Sequence, residues 1–177
     1  MQLNLQNRTK STTRRLTCYY VSGLMILCSS LLGEPATNLN SGKLQSIENY
    51  INLDRHPEDG KSLAVIEGIA PENSHLYLME IAANPRNSER IRIRALSLLR
   101  NYSDQSDVMV FLEKSIQTQS WRANLRRWAV LSYARGFQVK FPGRVSVFLR
   151  SQESKTTGRL QKTISKTLRG VEKGDAH

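Results

Sequence analysis

Histidine, cysteine and paired acids are the residues that most often do chemistry, and this chain places few of them where they can cooperate. Cys18 and Cys28 are its only cysteines, so residues 29–177 hold no thiol nucleophile, no disulfide and no cysteine-ligated metal. Of the three histidines, His177 is the last residue and His75 reads as a surface side chain near the start of a helix. His56 stands in Asp54-Arg55-His56-Pro57-Glu58-Asp59, where acids surround a single imidazole. A zinc set needs a second His or a Cys beside it, so this run reads as a polar loop. Glu58 and Asp59 share one environment, whereas acid–base catalysis needs carboxylates whose surroundings push their pKa values apart. A Gly-rich phosphate loop, a His-Glu-x-x-His helix and a Gly-x-Ser-x-Gly elbow are all absent. The expectation is a protein without catalytic residues, metal or cofactor.

Arginine and tryptophan remain. Arg92 and Arg126 sit in matching contexts, and one reading joins them in a basic stripe with Arg94, Arg127, Lys114 and Arg150. Trp121 and Trp128, seven residues apart, fall on about one face of a helix. Such a pair either stacks on bases or peptides or, more simply, packs in the seam. Asn101-Tyr102-Ser103 and Asn7-Arg8-Thr9 are glycosylation acceptors by sequence alone.

Charge divides the 177-residue chain into blocks. The net +11 comes from +4 over residues 1–33, −4 over 34–90 and +11 over 91–177, where seventeen bases face six acids. A cationic half of this kind attracts acidic proteins, anionic surfaces or nucleic acid, and its reach fades with salt. The plainer reading is a solvated, arginine-rich helical surface.

The elements that position these residues repeat. Ile91-Arg92, Ala95 and Leu99 recur 34 residues later as Leu125-Arg126, Ala129 and Tyr133. A fainter copy, Leu160-Gln161 with Ile164 and Leu168, follows after 35 more. A period of 20–50 residues marks units that cannot cover their own apolar face and must stack on neighbours. Apolar residues at helical spacing then predict paired helices, with Ile91 to Tyr102 followed by Val108 to Ile116, and Leu125 to Tyr133 followed by Val145 to Leu149. Gly60 to Ile69 and Ser74 to Ala83 make an earlier pair, closed by Asn84-Pro85. Lys43 to Leu53 caps one end, and residues 155–170 form a last helix with a Lys/Arg/Thr-rich outer face. No stretch alternates as a strand.

These residues resemble the HEAT-repeat family in its short bacterial form, in which an apolar-Arg pair opens the first helix of each unit. The resemblance covers about residues 60–170. It implies an all-α, right-handed solenoid of three to four antiparallel helix pairs whose second helices line a concave face, with Arg92 and Arg126 bonding across the seam between units. One departure stands out: Asn87 or Ser88, and then Ser120, occupy the region where the family carries an acid ahead of the pair.

Residues 1–15 are basic and polar, and Leu16 to Leu32 are mostly apolar before a polar exit at Glu34. This is the pattern of a secretory signal. An uncleaved anchor and an arginine-rich organellar presequence are its rivals. A lipoprotein reading puts the acyl group on Cys28, although Leu27 stands where a small residue is expected. The organisation expected is a signal segment over 1–33, a linker over 34–42, a repeat domain over 43–170 and a tail over 171–177.

The function expected is an exported, non-catalytic scaffold that binds another protein, one with an acidic surface, through the second helices. Lys114, Gln117, Arg144 and Arg150 are the exposed candidates there once the apolar stripes are removed. Nucleic acid is the alternative partner, and a non-catalytic subunit of an enzyme complex is a further one. A membrane is met only through the N-terminal segment. Export predicts a mature protein that begins at Leu31 or Glu34, readable by N-terminal sequencing with intact mass. A start at Cys28 with a lipid adduct gives the lipoprotein, and an intact Met1 removes cleavage altogether.

Overall fold

The apolar stripes legible in the sequence become the inner faces of helices. The structure, a computed structural model, describes residues 39–53 and 60–174. The segment 1–33 with Cys18 and Cys28, residues 34–38, residues 54–59 with His56, and residues 175–177 with His177 lie outside the described residues. Within them are eight helices and no strand: α1 (Ser41–Leu53), α2 (Gly60–Ile69), α3 (Ser74–Ala83), α4 (Glu89–Leu99), α5 (Ser106–Gln117), α6 (Ala123–Phe137), α7 (Pro142–Glu153) and α8 (Gly158–Lys173). The fold is all-α. No described helix is long and apolar enough to cross a membrane.

Both ends of the folded part extend past the boundaries expected. The Asn40 side chain accepts the Lys43 N–H to start α1, and Leu39 packs on the core, so the expected linker is structured from residue 39 onward. At the other end α8 runs on to Lys173, where Gly174 adopts the left-handed φ of 73° that an ending helix favours. Ser88 caps α4 by accepting the Ile91 N–H, and Pro142 opens α7, where its missing N–H costs nothing.

The helices pack in two alternating layers. α3 lies most extensively on α4, α5 on α6 and α7 on α8, while α4, α6 and α8 stand side by side and α3 touches α5. α1 closes one end against α2, α3 and α4. The pairing differs from the expectation that each Arg-bearing helix packs chiefly with the helix after it. Its closest partner is the helix before it.

One hydrogen bond explains the difference. The last carbonyls of a helix have no partner within it and need donors when they end inside a fold. Arg92 Nε donates to the Ala82 carbonyl at the end of α3, at 2.7 Å, and Arg126 Nε donates to the Ile116 carbonyl at the end of α5, at 2.8 Å. Both reach back ten residues. In the faint third copy Gln161 takes the position and donates to Glu153 O at the end of α7, at 3.4 Å. Burial holds both guanidiniums below their usual pKa, with Glu89 pulling Arg92 partly back. The end of α1 is closed in a similar way, since Arg94 donates to Ile51 O and Asn52 O and Arg90 to Asn52 O.

Ala95 and Ala129 are fully buried, with Leu99, Leu125 and Tyr133, and Ile91 is half-buried at the margin. Small side chains there let neighbouring helix axes approach. Gly136 serves the same end on α6. A Cβ at this position would stand 2.8 Å from the Arg100 carbonyl oxygen.

Urea unfolding of three variants checks this packing. Arg126→Leu leaves the Ile116 carbonyl without its donor and is expected to cost about 1–3 kcal/mol. Arg126→Gln, the residue the third copy uses, is expected to lose less. Gly136→Ala, forced against backbone, is expected to cost about 1–3 kcal/mol. Equal stability of Arg126→Leu and the parent contradicts the clamp.

Candidate functional site

α6 and α8 border a groove of about 740 Å³. Each hairpin turn reverses the chain, so these two helices point the same way and present matching faces to it. Its apolar lining is Leu131 and Ala134 of α6 and Val171 of α8, with Ala134 buried and the other two half-buried. Its cationic lining is Arg127 and Arg135 of α6 and Arg159, Lys162 and Lys166 of α8. Thr163, Thr167, Gly170 and Gln138 complete the lining, and no acid contributes to it.

Arg127 is half-buried and held in place, with its Nε donating to Thr163 Oγ1 at 2.9 Å. Arg135, Arg159, Lys162 and Lys166 are exposed. Among the described residues none of these five cations takes part in an ion pair. Positive charges seven residues apart on one helix stand about 10 Å from one another. That is close to the screening length at physiological salt, so their fields overlap and a bound anion relieves the repulsion.

The residues expected to contact a partner lie elsewhere, on α5 and α7. Lys114 and Gln117 are exposed near the end of α5. Arg144 is not a free cation. Its Nε and Nη2 both bond Glu113, each at 3.0 Å, in the two-pronged geometry that suits a carboxylate. The Tyr133 hydroxyl donates to the same carboxylate at 2.8 Å. The bond to Glu113 raises the Arg144 pKa further. Arg150 is likewise occupied, donating from Nε and Nη2 to Glu172 Oε1. The supposed basic stripe does not assemble, because Arg94 closes α1, Arg92 and Arg126 close α3 and α5, and Arg150 faces Glu172.

The tryptophan pair also separates. Trp121 lies in the turn before α6, where Arg92 sits over its ring at 4.6 Å and Phe111 meets it edge-on. Trp128 is half-buried against the core. Beside Arg92, Glu89 accepts from Asn124 at 2.8 Å and from Arg122 at 3.1 Å, and these bonds lower its pKa. Glu89 thus links the starts of α4 and α6 from one or two residues after Asn87 and Ser88.

His75 is buried, not on the surface. Its Nε2 lies 3.2 Å from Asp107 Oδ2, and its ring packs near Tyr102, whose hydroxyl donates to Ser74. The cluster ties the starts of α3 and α5 together. Among the described residues no three His, Cys, Asp or Glu side chains gather as a metal set.

The groove escaped sequence reasoning because its walls come from residues more than twenty positions apart, on helices with a third between them. One signal was available: Arg159, Lys162 and Lys166 recur at i, i+3 and i+7, a continuous cationic face on the last helix. No family model, curated protein or solved structure matches this chain.

Tyr133 yields a pH prediction. Burial first, then its bond to the Glu113 carboxylate, pushes the phenol far above its ordinary pKa. Below about pH 10 the phenol is neutral in both the folded and the unfolded chain, and above it only the unfolded chain ionises. Stability at this position is therefore lost as pH rises past that point, by about 1.4 kcal/mol per pH unit. Unfolding between pH 9 and 11 is expected to be less steep in pH for Tyr133→Phe than for the parent. Identical slopes contradict a buried, neutral Tyr133.

Proposed function

We propose that this protein is a non-catalytic interaction scaffold, a HEAT-like right-handed solenoid that binds an acidic partner protein in the groove between α6 and α8. The observation that carries this reading is five cations that, among the described residues, join no ion pair and share a groove lining with Leu131, Ala134 and Val171 and no acid. Supporting the repeat assignment is the recurrence of the apolar-Arg pair at a 34-residue spacing, with Arg92 and Arg126 bonded alike. The basic, then apolar, N-terminal segment supports export, which would place the scaffold and its partner outside the cytoplasm.

The binding face differs from the one the repeat resemblance implies. Arg144 and Arg150 on α7 are already neutralised by Glu113 and Glu172, whereas the α6 and α8 cations have no such partners. Nucleic acid is the second reading, favoured by the +11 carried over residues 91–177. Phosphate contacts would make its binding fall steeply with salt.

Capture from the protein's own compartment tests the proposal, with the parent and the triple variant Arg159→Glu, Lys162→Glu, Lys166→Glu as baits. An acidic protein held by the parent and lost from the triple variant is the expected result. A partner retained equally by both, or displaced from the parent by Lys114→Glu, contradicts the assignment of the site.

A further inference from the structure

The groove's charges are spaced to suit one kind of occupant. Arg159, Lys162 and Lys166 lie along one edge of α8, spanning about 10 Å. On the α6 side Arg135 is exposed, while Arg127 is half-buried and reaches across to Thr163 of α8. Leu131, Ala134 and Val171 supply the apolar part of the lining, less exposed than the cations on either side. An occupant therefore has to present an apolar edge inward and negative charge on both flanks at once.

We infer that the groove takes an acidic amphipathic helix, laid along α6 and α8 with its apolar edge on Leu131, Ala134 and Val171 and its carboxylates against the cations of the two helices. The inference rests on the proposed function and deepens it. A helix places apolar residues at i, i+3, i+4 and i+7 on one stripe and can flank that stripe with acids on either side. An extended peptide alternates its side chains between two opposite faces and offers no such continuous stripe with acids beside it. Single-stranded nucleic acid is disfavoured because no aromatic side chain lines the groove to receive its bases.

The charge is particular to this junction and not a property of the repeat. At the matching repeat positions, α4 carries Ile93 and Ser97 where α8 carries Lys162 and Lys166. A stacking role would be served by either set. The two lysines are exposed in the groove lining, where they contribute nothing to the core and lie open to a ligand.

Fluorescence anisotropy with the full-length protein tests the inference, using three labelled probes. One is an 18-residue peptide with a leucine stripe flanked by glutamates, one is a scrambled isomer of the same composition, and one is duplex DNA. The patterned peptide is expected to bind at least tenfold tighter than the scramble. Its affinity is expected to fall at least tenfold in Lys162→Glu/Lys166→Glu, with an unchanged thermal melt, and to hold in Lys114→Glu. Equal binding of the two peptides means that the groove reads charge alone; the helix inference then fails while the acidic-partner reading stands. Binding of DNA with neither peptide bound overturns both.

Discussion

A short helix stacked against its neighbours has to end inside the protein, where its last carbonyls are shut away from water. Each such carbonyl left without a donor is costly, and helices of 10 to 16 residues stacked in layers create many ends. In this chain a side chain at the start of the following helix reaches back and supplies the bond. Arg92 closes α3, Arg126 closes α5 and Gln161 closes α7. The same contact fixes where each helix begins relative to the one before it. The hairpins α3/α4, α5/α6 and α7/α8 follow from it, and so does the layer in which α4, α6 and α8 stand together.

That arrangement sorts the cationic side chains into two populations. One is structural: guanidiniums held on carbonyls, on the Trp121 ring, or on Glu113 and Glu172. The other consists of side chains that the stacking leaves over, concentrated where the last two helices of the layer meet. Only the second population has charge available to a partner. An overall +11 therefore says little about binding until the occupied arginines are set aside. The lining that the remaining cations share is partly apolar because α6 and α8 pack through the same stripe that builds the core, with Ala134 buried and Leu131 and Val171 half-exposed at its edge.

Local signals in the sequence carried much of the fold. Gly60, Ile69, Ser74 and Ala83 bound α2 and α3 as their glycine, proline and asparagine punctuation indicates, and Ala95 and Ala129 are buried as the repeat requires. What spacing could not supply was the identity of partners far along the chain. Arg144 looks exposed and available until Glu113, thirty-one residues earlier, is brought beside it by the packing. His75 looks like a surface residue until Tyr102 and Asp107 fold over it. Arg127 and Thr163 acquire a shared wall only once α6 and α8 are known to be adjacent. Periodicity reports which face of a helix is buried, but not which second helix buries it.

The division of the arginines is directly measurable through their side-chain Nε–H signals by NMR. Arg92 and Arg126 are expected to give slowly exchanging Nε–H groups with the restricted motion of the helices they close, while Arg135 and Arg159 exchange fast and move freely. Fast exchange at Arg92 and Arg126, or immobile guanidiniums at Arg135 and Arg159 in the free protein, would contradict the separation of structural from available charge.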